Sequence, residues 1–571
     1  MIALSSRLPA GLSLVLLALA ITLPVLGPHH HLPVATFHQE WLAGALGLAA
    51  VALLALARDD EWRVPGTALL PLALVGLLWL QFFAGLDVRF ESSLIASLYL
   101  VWAFLLMLAI ARIAATFGRE NTAEALAGAL LAGALLLALT GFLQRWAPWL
   151  GMPWIFPSET IKGNIAQPNN FADYLWLGIV SACWLFGRRR LHGGLLAVAL
   201  PVLMTLSLMS GSRSVYLYAV VASLWLLAWG WLRPAGERRR LLILAATLVP
   251  LLLALQFVSG LFGSEIASAQ RLATKESYDP VRLTLWRAAL GIFADYPLLG
   301  AGFDTFSHLY FVRIERYPIN GLGIPEHSHN LLTEFAAELG LAGLGIIGGG
   351  LALLLNGIRR RADAATMLAV GLLLILGLHS LLEYPLWYAH FLAIAVLMVA
   401  LIDNSGWPLG MAKRHRLVLL LLCTAGFAVL GGLRSDYVRL EEAANGRSAA
   451  GQPIPAEGQH ATLLDIYAHS LLRPYAALQF AARMPLDGKE NDGRLALFSE
   501  VQHFSPIRQA VFRYAALLYL GGKPEEALRQ WRLASLAFPG DAAGAQAMIR
   551  SAAESEPGLQ PFLSALDQRS F

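Results

Sequence analysis

The sequence predicts an all-α polytopic membrane protein with about thirteen transmembrane helices, and three observations lead there. Hydrophobic residues make up 57% of the chain and charged residues only 14%, with a mean hydropathy of +0.59. Apolar runs of spanning length recur throughout residues 1–433, and basic residues gather in alternate connections between them. A soluble domain carries nearer a quarter charged residues, so lipid is the solvent for most of this chain. The balance of 42 basic against 38 acidic residues gives no reason to expect a nucleic-acid partner. Cys183 and Cys423 both lie in apolar runs, which argues against a disulfide framework and against a thiolate metal cluster.

In chain order, the runs begin with Ala10 to Gly27, Glu40 to Ala57, Thr67 to Gly85, Ser92 to Ala111, Ala123 to Leu143 and Asn170 to Gly187. Gly193 to Met209, Val215 to Leu232, Leu241 to Gly260, Leu331 to Gly357, Met367 to Leu382, Pro385 to Ile402 and Leu417 to Leu433 follow. The first run resembles a signal peptide but reads as a retained span, because further spans follow at once. Connections that carry Arg58 and Arg63, Arg112 and Arg119, Arg188 to Arg190, Arg233 with Arg238 to Arg240, Arg359 to Arg361, and Lys413 with Arg414 and Arg416 alternate with connections holding only Arg89, Arg145, Lys162 or Arg213. By the positive-inside rule the N-terminus is cytoplasmic and, with an odd number of spans, the C-terminus lies across the membrane.

Two segments depart from hairpin connectivity. A loop of about 70 residues, 261–330, follows the ninth span, and its length marks it as functional. After the membrane domain of residues 1–433 comes a soluble tail, 434–571. Its stretch from Ala515 to Pro539 reads as two helices around Gly521-Gly522-Lys523-Pro524. That spacing is similar to a tetratricopeptide unit, and an isolated helical hairpin explains it equally well.

The candidate chemistry collects on the side opposite the basic connections. In Gly163-Asn164-Ile165-Ala166-Gln167-Pro168-Asn169-Asn170, Pro168 disfavours helix at Gln167 and Asn169 or Asn170 can cap the next span. The amides of Gln167, Asn169 and Asn170 also offer the donors and acceptors that sugar hydroxyls need. Arg213 sits in a tight connection on the side where basic residues are scarce, which points to an anionic partner. Arg282, in Pro280-Val281-Arg282-Leu283-Thr284-Leu285-Trp286-Arg287, shares a helical face with Trp286 while Arg287 turns away. Two guanidinium forks suit a pyrophosphate.

Where the long loop returns to the membrane stands Glu326-His327-Ser328-His329-Asn330. Asn330 can cap the following helix, and either imidazole can accept a proton from a hydroxyl near neutral pH. A metal would need about three or four ligands, and no Cys partner or nearby Asp accompanies the pair, so no metal is expected. On the next helix Gly340 and Gly343 permit close backbone approach, and Glu334 and Glu338 need polar company, arginine included. Last comes His379-Ser380-Leu381-Leu382-Glu383-Tyr384. An aromatic belt accounts for Tyr384, but not for His379 and Glu383, which are four residues apart on one helical face near the membrane interior.

With these residues in view, the chain resembles the superfamily of O-antigen ligases, O-antigen polymerases and protein O-oligosaccharyltransferases. The resemblance rests on His329-Asn330 followed by Gly340 and Gly343, on Arg213, and on Arg282 ahead of Trp286 with Pro297-Leu298-Leu299-Gly300-Ala301-Gly302 after it. The 163–172 and 379–386 segments and the soluble tail are similar to the PglL-type protein O-oligosaccharyltransferases, with Asn170 standing where many relatives are expected to hold histidine. The resemblance implies a glycosyltransferase-C-like membrane fold in the bacterial inner membrane, with active site and C-terminus periplasmic. It also implies transfer of a preassembled glycan from undecaprenyl pyrophosphate to a Ser or Thr of a periplasmic protein such as pilin, without a cofactor. Arg213 and Arg282 would hold the pyrophosphate, and His329 would activate the hydroxyl. His327, Asn330, Gln167, Asn169, Asn170, His379, Glu383 and Tyr384 would line the substrates. A polymerase or a ligase with the same donor, and a transporter without covalent chemistry, are the competing readings.

Overall fold

The computed structural model describes residues 2–57, 61–86, 88–261, 280–319, 323–403, 405–489 and 491–568. Parts of the predicted long loop, 262–279 and 320–322, lie outside the described residues. The membrane region runs α1 (Ile2–Thr22), α2 (Phe37–Leu56), α3 (Leu69–Phe83), α4 (Phe90–Phe117), α5 (Arg119–Trp146) and α6 (Pro168–Gly187). It continues with α7 (Gly193–Met209), α8 (Ser214–Trp231) and α9 (Ala235–Leu261). The loop contributes α10 (Pro280–Asp295) and α11 (Phe306–Val312), then α12 (Leu331–Arg360), α13 (Ala364–Ser380), α14 (Ala389–Ile402) and α15 (Lys413–Asn445) follow. The tail holds α16 (Ala456–His469), α17 (Arg473–Arg483), α18 (Asn491–Phe504), α19 (Arg508–Leu520), α20 (Pro524–Ala537), α21 (Ala542–Ser555) and α22 (Gln560–Asp567).

The protein is an all-α polytopic membrane protein. Each predicted span coincides with a helix, and among the described residues nine helices are long and apolar enough to cross a membrane. α7, α13 and α14 are shorter apolar helices. The 14 residues of α14 rise only about 21 Å, less than a hydrocarbon core of about 30 Å. The expected span from Pro385 is shortened because Pro385–Trp387 forms a separate 3₁₀ turn. One feature outside the helical pattern is a short antiparallel ribbon, β1 (Glu61–Val64) against β2 (Trp407–Gly410), with Val64 opposite Trp407.

The chain divides into two compact units. The first comprises Met1–Val75, Leu98–Tyr278 and Ile346–Gly431. Its core is built around α6, whose Trp176 and Trp184 are fully buried. Small residues let helices approach here: a Cβ on Gly178 would lie 2.2 Å from the Ala134 Cβ of α5. Without a hydrophobic driving force between helices in lipid, such close packing holds a bundle together. A buried tryptophan ties two helices together where Trp184 Nε1 donates to the Ala364 carbonyl at 2.7 Å.

The second unit comprises Gly76–Ser97, Asp279–Gly345 and Gly432–Phe571. The long loop and the tail, separate segments in the sequence reading, share one hydrophobic core here. Leu285, Ile292, Phe306, Tyr310 and Phe311 pack in one cluster with Phe498, Val501, Phe512 and Trp531. Arg532 and Glu315 form an ion pair at 2.8 Å across it, and His308 stacks on His503 at 3.9 Å. The predicted helical pair of the tail is α19 and α20, turned by Gly521 and Gly522.

Candidate active site

In the second unit, the His-Ser-His-Asn segment is clamped onto the first turn of α12. Asn330 accepts from the N–H groups of Leu332 at 3.0 Å and Thr333 at 3.2 Å, so it caps this helix as its sequence position suggests. Glu334 reaches back with both oxygens. One accepts the Ser328 N–H at 2.6 Å, and the other faces His327 Nδ1 at 3.2 Å. The Ser328 hydroxyl, fully buried, contacts Thr333 Oγ1 at 2.9 Å. Between these ties His329 adopts a left-handed backbone with φ 55°. A side chain other than glycine, Asn or Asp meets its own carbonyl there, at a cost of about 1–2 kcal/mol. Strain held by clamps on both sides characterises functional positions.

Burial lowers His327, but its hydrogen bond to Glu334 and the charges of Glu334, Glu338 and Glu326 outweigh it and raise the imidazole to about 9. His327 is a cation near neutral pH, and so no proton acceptor. Its stabilising contribution is complete below its ordinary value of 6.5 and is lost as pH rises through about 9, at no more than about 1.4 kcal/mol per pH unit. Glu334→Gln should flatten that decline. Thermal midpoints in detergent between about pH 6 and 10 test it, and parallel curves for the two proteins would reject the pairing.

α12 is broken eleven residues after His329. Gly340 has φ 61° and ψ −157°, a conformation essentially restricted to glycine. The 297–302 loop lies in the gap and takes up the interrupted hydrogen bonds. Ala301 N–H donates to the Ala337 carbonyl at 2.9 Å, Gly302 N–H to Glu338 at 3.1 Å, and Leu341 N–H to Pro297 at 2.8 Å. The predicted close approach is realised at Gly340. Gly343 is corrected: its nearest neighbour is the Leu339 side chain of its own helix. Glu338 Oε1 accepts from Thr305 N at 3.0 Å and Phe306 N at 3.1 Å, fixing the start of α11. The partners of Glu334 and Glu338 are thus backbone N–H groups and a histidine rather than arginine, which corrects that expectation among the described residues. Gln81 fastens the same junction through the Leu299 and Glu338 carbonyls. Arg89 holds it too, paired with Asp304 and donating to the His503 carbonyl at 2.7 Å. Neither residue stood out in the sequence, since each looks like an isolated polar residue near a helix end.

The first unit joins two motifs that lie about two hundred residues apart in sequence. Asn169 Nδ2 donates to Glu383 Oε1 at 2.8 Å, and Asn170 Oδ1 lies 3.0 Å from His379 Nε2. The Tyr218 hydroxyl meets His379 Nδ1 at 2.8 Å. A carbonyl oxygen only accepts, so Nε2–H donates to Asn170. The Tyr388 ring stacks on that of Tyr384. Two expectations are corrected. Gln167, extended as Pro168 requires, caps α6 by accepting from the Asn170 N–H, so neither Asn169 nor Asn170 is the cap. α13 ends at Ser380, so Glu383 follows a turn closed by its own N–H on the His379 carbonyl rather than sharing a helical face with His379. Asp173, one turn into α6, is fully buried with neither carboxylate oxygen hydrogen-bonded among the described residues.

Arg213 precedes α8 in the first unit, after a turn in which Gly211 has φ 82°. Arg282 lies in the first turn of α10 in the second unit; it is partly buried, as is Trp286, while Arg287 is exposed. The two arginines therefore belong to different units. Around His327 and His329 no set of three His, Cys or carboxylate ligands assembles among the described residues.

Comparison with known families gives these residues their context. Residues 196–348, which contain Arg213, Arg282 and His329, match the O-antigen ligase family. Residues 162–186 match a family of protein glycosylation ligases. Over these stretches the chain is similar to the O-antigen ligases and protein glycosylation ligases. Residues 367–552 match the C-terminal part of membrane-bound polymerases described as virulence factors. A protein of Acinetobacter baylyi named general O-oligosaccharyltransferase is 26% identical over 406 residues, 69% of this chain and 70% of that protein. The protein glycosylation ligase match covers the start of α6 with Gln167, Asn169 and Asn170, the segment that meets His379 and Glu383.

Proposed function

We propose that this protein is an oligosaccharyltransferase that moves a preassembled glycan from undecaprenyl pyrophosphate to Ser or Thr hydroxyls of periplasmic proteins such as pilin. The observation that carries the reading is the strained, doubly clamped His329 beside a His327 that is already charged. His329 accepts the acceptor hydroxyl proton as the oxygen bonds to the anomeric carbon. The bond from that carbon to the pyrophosphate breaks, and polyprenyl pyrophosphate leaves. Arg213 and Arg282 stabilise the charge that grows on the departing group, the kind of interaction that contributes most to such reactions. No metal or cofactor takes part. Asn169, Asn170, Glu383 and Tyr384 border the glycan, and the site opens to the periplasm from the inner membrane with the N-terminus cytoplasmic.

The match of residues 196–348 to O-antigen ligases favours one rival, transfer of the same donor's glycan to a sugar hydroxyl. Purified protein given lipid-linked glycan, a pilin and a lipid-A-core acceptor separates the two. Glycan found by mass spectrometry only on lipid would overturn the protein-acceptor reading. Arg213→Ala and Arg282→Ala are each expected to lower turnover of the pyrophosphate donor by about 10²–10³-fold. Unchanged turnover and donor binding in either variant would remove that arginine from the site.

A further inference from the structure

The hairpin of α8 and α9 in the first unit carries a charge arrangement that glycosyl transfer does not use. Arg233, Arg238, Arg239 and Arg240 crowd the start of α9, with Glu237 as the one carboxylate among them. Cations at a helix N-terminus oppose its macrodipole and one another, so the cluster is unfavourable without an anion. Glu237 is 3.9 Å from Arg233 Nε. Among the described residues, Arg233 Nη2, Arg238 Nε and Arg240 Nη2 are buried with no hydrogen-bond acceptor. The positive-inside tendency accounts for basic residues at such a place but leaves these donors unsatisfied.

A shallow furrow of about 370 Å³ runs along the same helix, lined by Ala235, Arg238, Arg239, Leu242, Ile243 and Ala246. Its basic end is bounded by tryptophan: Arg238 lies 5.7 Å from the Trp231 ring and Arg233 5.8 Å from that of Trp229. Beyond the arginines the furrow turns wholly apolar. Ile243 and Ala246 lie about 7 and 12 Å along the helix axis from Arg238, within one leaflet of a core about 30 Å thick. Ile243 is 54% exposed, and the outward face continues through Leu253 and Phe257. A free anion would need only the arginines, whereas a charged head followed by a hydrocarbon chain matches the whole furrow.

We propose that this furrow binds an anionic phospholipid, its phosphate on Arg238 and Arg239 with Arg233 and Arg240 beside it, and an acyl chain along Leu242, Ile243 and Ala246. Basic pockets at a membrane surface recognise such headgroups, each basic residue contributing about fivefold in affinity.

The test uses the full chain purified in neutral detergent and offered phosphatidylglycerol, cardiolipin or phosphatidylcholine, with bound lipid counted by native mass spectrometry. The wild type should retain the two anionic lipids over phosphatidylcholine. Arg238→Gln with Arg239→Gln should lower that retention at least about tenfold, and Ile243→Gln should lower it with the charges intact. Arg359→Gln with Arg360→Gln removes equal charge elsewhere and should leave it unchanged. Equal retention in wild type and the Arg238/Arg239 variant, equal loss in both double variants, or thermal stabilisation reproduced by inorganic phosphate alone would each overturn the lipid site.

Discussion

Replacing His329 should lower glycan transfer by about 10²–10⁴-fold, the usual contribution of a positioned proton acceptor, while the protein remains folded in the membrane. The choice of substitution matters because φ at this position is 55°. Alanine would face the left-handed backbone without compensation, whereas asparagine tolerates it and cannot act as the base. His329→Asn is therefore the cleaner variant. It should match the wild type in membrane abundance and thermal midpoint and lose turnover without a proportionate change in donor binding. Full transfer by a well-folded His329→Asn protein would reject the assignment. His327→Ala should behave differently, lowering stability most at acid and neutral pH, where its pairing with Glu334 is intact.

The second large effect concerns Gly340. An added Cβ would lie 2.4 Å from the Gly300 nitrogen and 2.6 Å from the Leu298 carbonyl oxygen, both backbone atoms that cannot swing aside. The backbone strain alone costs about 1–3 kcal/mol and overpacking about as much again. Gly340→Ala should therefore lose about 3 kcal/mol or more, read as a lower thermal midpoint and rapid proteolysis within residues 279–345. Gly345 is the control. Nothing lies within 4 Å of its would-be Cβ, so Gly345→Ala should be neutral or slightly stabilising. Equal behaviour of the two variants would show that the 297–302 loop does not depend on the break in α12.

Much of the architecture was legible because its causes are local. A run of apolar residues must leave water wherever it folds, and a basic connection reports on its own segment. The helices around Gly521-Gly522 and the Asn330 cap were readable for the same reason. The break in α12 was half legible, since Gly340 advertises close approach but not what approaches. The polar junction of Asn169, Asn170, His379 and Glu383 was visible as two motifs, but their pairing was not.

The sequence by itself determined the helical membrane class and pointed to candidate residues of the O-antigen ligase type. Tertiary structure decided that the His327 imidazole is raised, because that depends on Glu334 folding back seven residues onto it. It also decided that Gln167 caps α6 while Asn170 faces His379, and that the long loop shares a core with the tail. These outcomes arise from contacts between segments distant in the chain, whose geometry no local pattern of hydropathy or charge encodes. The left-handed turn at His329 belongs with them: no glycine marks it, and the ties of Ser328 and Asn330 flank it on both sides.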